Sequence, residues 1–274
     1  MQFVEVKGRK VPALGFGTYG LDGDEAERMV RTALDIGYRH IDTARSYGNE
    51  AAVGRALRRS GVARDEIFLT TKVWHDSLAY EAVLSSVEAS LRDLDTDRVD
   101  LLLVHWPNRA VPLAATLHAF EDLRDEGKVG AIGVSNFPVA LLREAVEEIG
   151  ADLLCDQVEY HPLLSQTPVL GYLRRHGMML TAYSPLAQGR VANNPVLAEV
   201  GHRHGKSPAQ AALRWLLDQP GVAAIPKSGS ERRARENFEV FDFTLTDRDR
   251  REIDRLQGDG RLVNPGWAPD WDAS

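Results

Sequence analysis

Short β-rich runs alternate with amphipathic helical segments about eight times along this chain, with no break in composition, and that rhythm limits the fold more than any other feature. A strand that needs a helix before the next strand pairs in parallel, and eight such units close into one α/β structure, the (β/α)8 TIM barrel. The candidate strands end near Gly17, Asp42, Lys72, His105, Ser135, Glu159, Ser184 and Lys227. Between them, apolar residues three and four apart, such as Met29, Val30, Ala33 and Leu34 or Val83, Val87, Leu91 and Leu94, mark helices. Ser207-Pro208-Ala209-Gln210 places a cap, a first-turn proline and a capping-box glutamine in order, so it opens another. Ahead of the repeat, Phe3 to Pro12 alternates around Lys7-Gly8-Arg9-Lys10 and reads as an N-terminal β-hairpin. The length of 274 residues admits one barrel or two modest domains. No Ser/Gly-rich linker or low-complexity segment divides the chain, so residues 1–274 are expected to form a single domain.

Composition narrows the function. Hydrophobic residues make up 43% of the chain and charged residues 27%, enough apolar surface for a large core, so disorder is excluded. A net charge of −7 gives no reason to expect nucleic acid or an anionic membrane as partner. No apolar run approaches the roughly 18 residues of a membrane span, and the N-terminus lacks the continuous apolar stretch of a signal peptide. The sole cysteine, Cys155, excludes an intrachain disulfide and a cysteine-based zinc cage; its apolar setting reads as a small buried hydrophobe. A reducing cytoplasm is the expected compartment. His202 and His204 are expected to face solvent and not a metal; no metal site is expected.

Four polar side chains stand at or just past strand ends: Asp42, Tyr47, Lys72 and His105. A soluble core does not require them there. Three successive strands ending in an acid, a base and a histidine describe one active site at the C-terminal rim of a parallel sheet. As a structural pair, Asp42 and Lys72 would add little, because desolvation offsets most of their attraction. Chemistry explains the set better. A tyrosine with a pKa near 10 is a poor acid at neutral pH, but a neighbouring ammonium stabilises its phenolate and should lower that value. A carboxylate can hold the ammonium, and a histidine N–H can orient a carbonyl oxygen.

Gly15-Phe16-Gly17-Thr18-Tyr19-Gly20 fits the dinucleotide-binding pattern G-x-G-x-x-G, with Asp42 about twenty residues further on. The rival Rossmann reading fails on context, since Leu21-Asp22-Gly23-Asp24 continues as loop where a Rossmann helix would already have begun. Short-chain dehydrogenases are excluded too, because no tyrosine has a lysine four residues later. A different anion site is suggested by Lys227-Ser228-Gly229-Ser230 and the arginines that follow. Cations in the first turn of a helix beginning at Glu231 oppose its dipole, and an arriving phosphate would relieve that cost. Arg232 and Arg235 are expected to be solvated; Lys227 and Arg233 are the phosphate candidates.

Gly37-Tyr38-Arg39-His40-Ile41-Asp42-Thr43-Ala44, Tyr47-Gly48-Asn49-Glu50, His105-Trp106-Pro107, Gly133-Val134-Ser135-Asn136-Phe137 and Ile225-Pro226-Lys227-Ser228 together resemble the aldo-keto reductase family over the whole chain. The resemblance implies NADPH-dependent reduction of a small-molecule carbonyl by a cytoplasmic monomer. Tyr47 would be the general acid, activated by Lys72 and Asp42, with His105 orienting the carbonyl. Ser135, Asn136 and Gln157 would hold the nicotinamide carboxamide and Tyr183 would stack on its ring. Lys227, Ser228, Ser230 and Arg233 would grip the 2′-phosphate, with Glu236 and Asn237 at adenine. Gly17, Thr18, Tyr19, Ser184 and Leu186 are further cofactor candidates, and Tyr19, Trp74, His105, Trp106 and Trp267 are substrate candidates. The C-terminal run from Asp259 to Asp272 is similar to bacterial 2,5-diketogluconate reductases, whereas Tyr183-Ser184-Pro185-Leu186 is general to the family, so the substrate stays open. The loop Pro107 to Pro112 is short and the tail adds few residues. A wide mouth is therefore expected, favouring α-dicarbonyls and keto-sugar acids over steroids. The alternative is a non-catalytic, NADP(H)-binding regulatory subunit of the same family.

Overall fold

The computed structural model of the protein describes residues 1–272. Strands β1 (Phe3–Val6) and β2 (Arg9–Pro12) form the antiparallel hairpin. Lys7 Nζ donates to Asp152 at 2.5 Å, and Arg9 donates to the Gly130 carbonyl at 2.5 Å. Both acceptors lie at the N-terminal ends of barrel strands, so the hairpin crosses the end of the barrel opposite the candidate site.

Eight strands then pair in parallel and in chain order: β3 (Phe16–Gly17), β4 (His40–Asp42), β5 (Phe68–Val73), β6 (Val99–Val104), β7 (Val129–Ser135), β8 (Leu153–Glu159), β9 (Met179–Tyr183) and β10 (Val222–Ala224). The two ends of the sheet meet. Leu14 bridges Ala224 in parallel, the Gly15 amide donates to the Ala224 carbonyl at 2.9 Å, and the Ala224 amide donates to Ala13 at 2.8 Å. Every residue of β8 is buried, as expected of a parallel strand covered on both faces. The helices are α1 (Gly23–Ile36), α2 (Glu50–Arg59), α3 (Tyr80–Leu94), α4 (Leu113–Asp125), α5 (Val139–Arg143), α6 (Thr167–Arg175), α7 (Pro195–Arg203), α8 (Pro208–Leu217), α9 (Glu231–Phe238) and α10 (Asp247–Asp254). The stripes read from the sequence are the buried faces of α1 and α3, and Ser207 with Gln210 forms the capping box of α8.

The glycines of the G-x-G-x-x-G stretch have a structural cause. A Cβ on Gly15 would lie 2.8 Å from the His40 ring and 2.9 Å from Ile225, and one on Gly17 would lie 2.8 Å from the Ile225 carbonyl oxygen. Both positions are glycine because β3 must press against the segment leaving β10 to close the barrel. Gly20, at φ +70°, turns the loop before α1, and so it lies outside any helix.

Two expectations need correction. The last strand ends at Ala224, three residues before Lys227, because Pro226 has no amide to donate to a ladder. His202 is exposed, but His204 is half-buried with Nε2 2.9 Å from an Asp249 oxygen. Asp249 is the capping-box residue of α10, and packing of α10 on α7 brings the two together.

Candidate active site

The ladder between β4 and β5 brings Asp42 and Lys72 together at the C-terminal rim. Lys72 Nζ, fully buried, donates to Asp42 at 2.5 Å, to the Thr43 carbonyl at 2.8 Å and to the Tyr47 hydroxyl at 3.4 Å. The other Asp42 oxygen accepts from Gln157 Nε2 at 2.7 Å. The Asp42 carboxylate is thus satisfied on both oxygens, and the ammonium is fixed beside the phenol.

Tyr47 comes from a single 3-10 turn, Arg45–Tyr47, that follows β4 and ends on Gly48 at φ 67°. Asn49 fixes this turn: its oxygen accepts from Thr43 at 2.9 Å while its amide donates to the carbonyls of Thr18 and Leu21 at 2.9 and 2.8 Å. Buried Glu50 accepts from Thr71, Ser90 and Arg45. The Tyr47 ring stands 5.5 Å from the His105 ring and 5.1 Å from that of Tyr19, both edge-on. His105 follows β6, with its Nδ1 3.3 Å from the Ser46 hydroxyl and its carbonyl accepting from Asn136 at 2.9 Å. When Ser46 donates to Nδ1, the imidazole proton resides on Nε2, the atom left for a ligand.

Burial decides the protonation states. It holds His105 well below the ordinary histidine value, with the Lys72 charge adding to the effect, so the ring is a neutral donor. Burial also depresses the Lys72 ammonium, against the attraction of Asp42. For Tyr47, the expected lowering is not the net result: burial, followed by the Asp42 charge, pushes the phenol well above 10. The phenol therefore keeps its proton at neutral pH, with the Lys72 ammonium 3.4 Å from its oxygen.

Beside the tetrad lies a second network, on β7, β8 and β9. Ser135 donates to the Gln157 carbonyl at 2.7 Å, Asn136 donates to Ser135 at 3.1 Å, and the Tyr183 hydroxyl donates to Asn136 at 2.7 Å. Asn136 and Ser184 hold positive φ angles, 63° and 46°. Backbone strain of this kind concentrates at functional sites. Gln157 joins the two networks, and the buried Thr18 hydroxyl has no partner among the described residues.

The phosphate candidates cluster at the start of α9. Ser230 occupies the cap position, but its side chain makes no capping bond; Ser228 Oγ instead accepts from the Ser230 amide at 3.0 Å. Arg232 pairs with Glu236 and Arg235 with Glu231, as expected of solvated residues. Lys227 and Arg233 are exposed and, among the described residues, have no acidic partner. Glu25 of α1 comes against Gly229, where an added Cβ would lie 2.6 Å from its oxygen. Asn237 is buried and Glu236 half-buried on the same helix; Leu186 and Ser184, both half-buried, follow β9.

The tail corrects the expectation of an open mouth. Trp267, 46% exposed, packs against His75, Trp106 and Trp74 at ring separations of 4.4, 5.1 and 5.8 Å. The tail reaches the rim because Glu159, at the end of β8, accepts from the amides of Leu262 and Val263 at 2.9 Å each. Asp272 accepts from the Val139 amide at 2.9 Å. Ser46, Asn49, Glu50 and Glu159 received no role from the sequence, since their partners lie on other elements.

The Aldo/keto reductase family model matches residues 13–257, and the chain belongs to that family. It is 43% identical over 256 residues to the glyoxal reductase of Bacillus subtilis (strain 168), covering 93% of this chain and 92% of that protein. It is 38% identical over 266 residues to the methylglyoxal reductase DkgB of Escherichia coli O157:H7, covering 96% and 99%. A crystal structure described as a "putative 2,5-diketo-D-gluconic acid reductase B" superposes with a TM-score of 0.97 at 49% identity, covering 100% of this chain and 98% of that one. The family supports an oxidoreductase that acts on carbonyl groups.

Proposed function

We propose that the protein is a cytoplasmic, monomeric, single-domain reductase that uses NADPH to convert small aldehydes and ketones, α-dicarbonyls and keto-sugar acids among them, to alcohols. The observation that carries this reading is the Asp42–Lys72–Tyr47 chain beside a neutral His105. It joins a fixed proton donor to a fixed carbonyl-orienting N–H. The residues present fit a nicotinamide dinucleotide: a polar shelf at Ser135, Asn136, Gln157 and Tyr183 and, among the described residues, an unpartnered Thr18 hydroxyl and two cations without acidic partners at a helix start. When bound, the cofactor supplies a hydride to the carbonyl carbon.

The chain's own residues do the rest. The shelf would hold the reacting ring, Lys227 and Arg233 with Ser228 and Ser230 would hold the 2′-phosphate, and Gly17, Tyr19, Ser184 and Leu186 would make further contacts to the cofactor. His105 donates its N–H to the carbonyl oxygen. Tyr47 transfers its hydroxyl proton to that oxygen as negative charge develops there, and the Lys72 ammonium stabilises the phenolate left behind. Trp74, Trp106 and Trp267 wall the substrate, which accords with the small substrates named in two relatives.

NADPH oxidation with methylglyoxal, followed with the alcohol product, is the direct test. Stoichiometric turnover is expected. Tight NADPH binding with no turnover across a panel of α-dicarbonyls, keto-sugar acids and aromatic aldehydes would favour the non-catalytic regulatory subunit.

A further inference from the structure

Arg261 is a charged side chain in an unusual position. Its segment is held by Glu159, and its guanidinium stacks on Trp271 with 3.7 Å from the central carbon to the ring centroid. Trp271 lies 6.0 Å from Trp106, part of the aromatic wall beside His105. Tyr183 of the polar shelf is close enough to influence the guanidinium electrostatically. One guanidinium nitrogen, Nη1, is inaccessible to solvent and has no hydrogen-bond partner among the described residues.

Neighbouring carboxylates do not account for it. Glu159 spends its oxygens on the Leu262 and Val263 amides and on His161, and Asp272 accepts from the Val139 amide. Neither lies within ion-pair distance of Arg261 among the described residues. A buried cationic N–H without an acceptor costs on the order of 1–3 kcal/mol; Glu159 and Asp272 attract the guanidinium at longer range, but among the described residues none accepts from Nη1. An anion supplied from outside would. Stacking on Trp271 holds the planar fork in one orientation, which suits bidentate capture of a carboxylate.

We propose that Arg261 is an anion receptor at the mouth of the active site, and that the anion it takes is the carboxylate of the substrate. It would thereby select keto acids and keto-sugar acids over uncharged carbonyls. This rests on the reductase reading above, with Arg261 acting as a specificity-determining residue and not in the chemical step. The cofactor diphosphate carries similar anionic oxygens, so the test must separate the two sources.

The experiment compares wild type, Arg261→Met and Arg261→Lys. The kcat/KM is measured for 2,5-diketo-D-gluconate and for methylglyoxal, and NADPH and NADH dissociation constants are taken by fluorescence titration. Because the Arg261 side chain makes no hydrogen bond or ion pair among the described residues, the methionine variant is expected to fold, and its unfolding midpoint is checked. The methionine variant should lose at least about tenfold on the keto-sugar acid and stay within about threefold on methylglyoxal, with both cofactors unaffected. Lysine should restore part of the loss. Equal losses on both substrates, or none on either, would overturn the proposal. Equal weakening of NADPH and NADH would assign Arg261 to the diphosphate and overturn the carboxylate. A second readout needs no turnover: D-gluconate, titrated into the NADPH complex, should change tryptophan fluorescence saturably in wild type and not in the methionine variant. If wild type reduces no carbonyl, this titration still decides for or against Arg261.

Discussion

At the scale of single residues, Tyr47 and Lys72 should respond differently to substitution although they touch. The Tyr47 hydroxyl makes one long contact with Lys72, so Tyr47→Phe should leave unfolding and cofactor titrations near wild type. It should cut kcat by at least about a hundredfold, the typical contribution of a positioned general acid. Retained turnover would remove Tyr47 from that role. Lys72→Met should lose activity and stability together. It strips a buried carboxylate of its cation at a cost of roughly 3–5 kcal/mol, readable as a lower denaturant midpoint, and Gln157 remains as only one partner for Asp42. Arg233 lies outside both networks. Arg233→Ala should weaken NADPH by about tenfold or more while leaving NADH within about threefold, since charge-assisted contacts to a phosphate contribute about 1.5–3 kcal/mol each. Parallel losses for both cofactors would mean that Arg233 does not read the phosphate.

Among elements, the contacts that matter are those where one segment fixes another. The β3 glycines are constrained by β10 across the barrel seam, so Gly17→Ala drives a methyl into the Ile225 carbonyl. A loss of roughly 1–3 kcal/mol is expected from such overpacking, measured as a drop in unfolding midpoint; an unchanged midpoint would mean that the seam yields freely. Glu159 is one of the anchors of the C-terminal tail. Glu159→Ala removes the acceptor of two amides and of His161, so exchange of the tail amides around Leu262 and Val263 should accelerate markedly while that of β6 and β7 is unchanged. Uniform acceleration across the barrel would instead show that Glu159 supports the whole fold.

For the molecule as a whole, a polar site inside a closed barrel has a consequence for acid stability. Burial lowers the proton affinity of His105 and His40 in the folded state below the ordinary 6.5. As pH falls through that value, the unfolded chain takes up protons that the folded chain refuses, so stability declines with acidification and is regained as pH rises. A midpoint that drops from pH 7 to pH 5, less steeply in His105→Asn, is the expected result. An equal slope in the variant would place the acid sensitivity elsewhere. Much of this architecture was legible in the chain, because strand and helix periodicities follow from local geometry and burial on one face. Eight repeats with short connections admit few closures. The tetrad was legible for a related reason: polar side chains at the ends of apolar runs conflict with core formation, and Asp42, Lys72 and His105 stand in that conflict. Local pattern could not reveal what arises between distant segments. The steric reason for Gly15 and Gly17, the Glu159 anchor, the aromatic wall completed by Trp267, and the Arg261 Nη1 left without a partner among the described residues each depend on residues from about ten to over a hundred positions apart. The upward shift of the Tyr47 phenol belongs with them. Its sign follows from how much water the closed barrel excludes, which the tertiary structure alone decides.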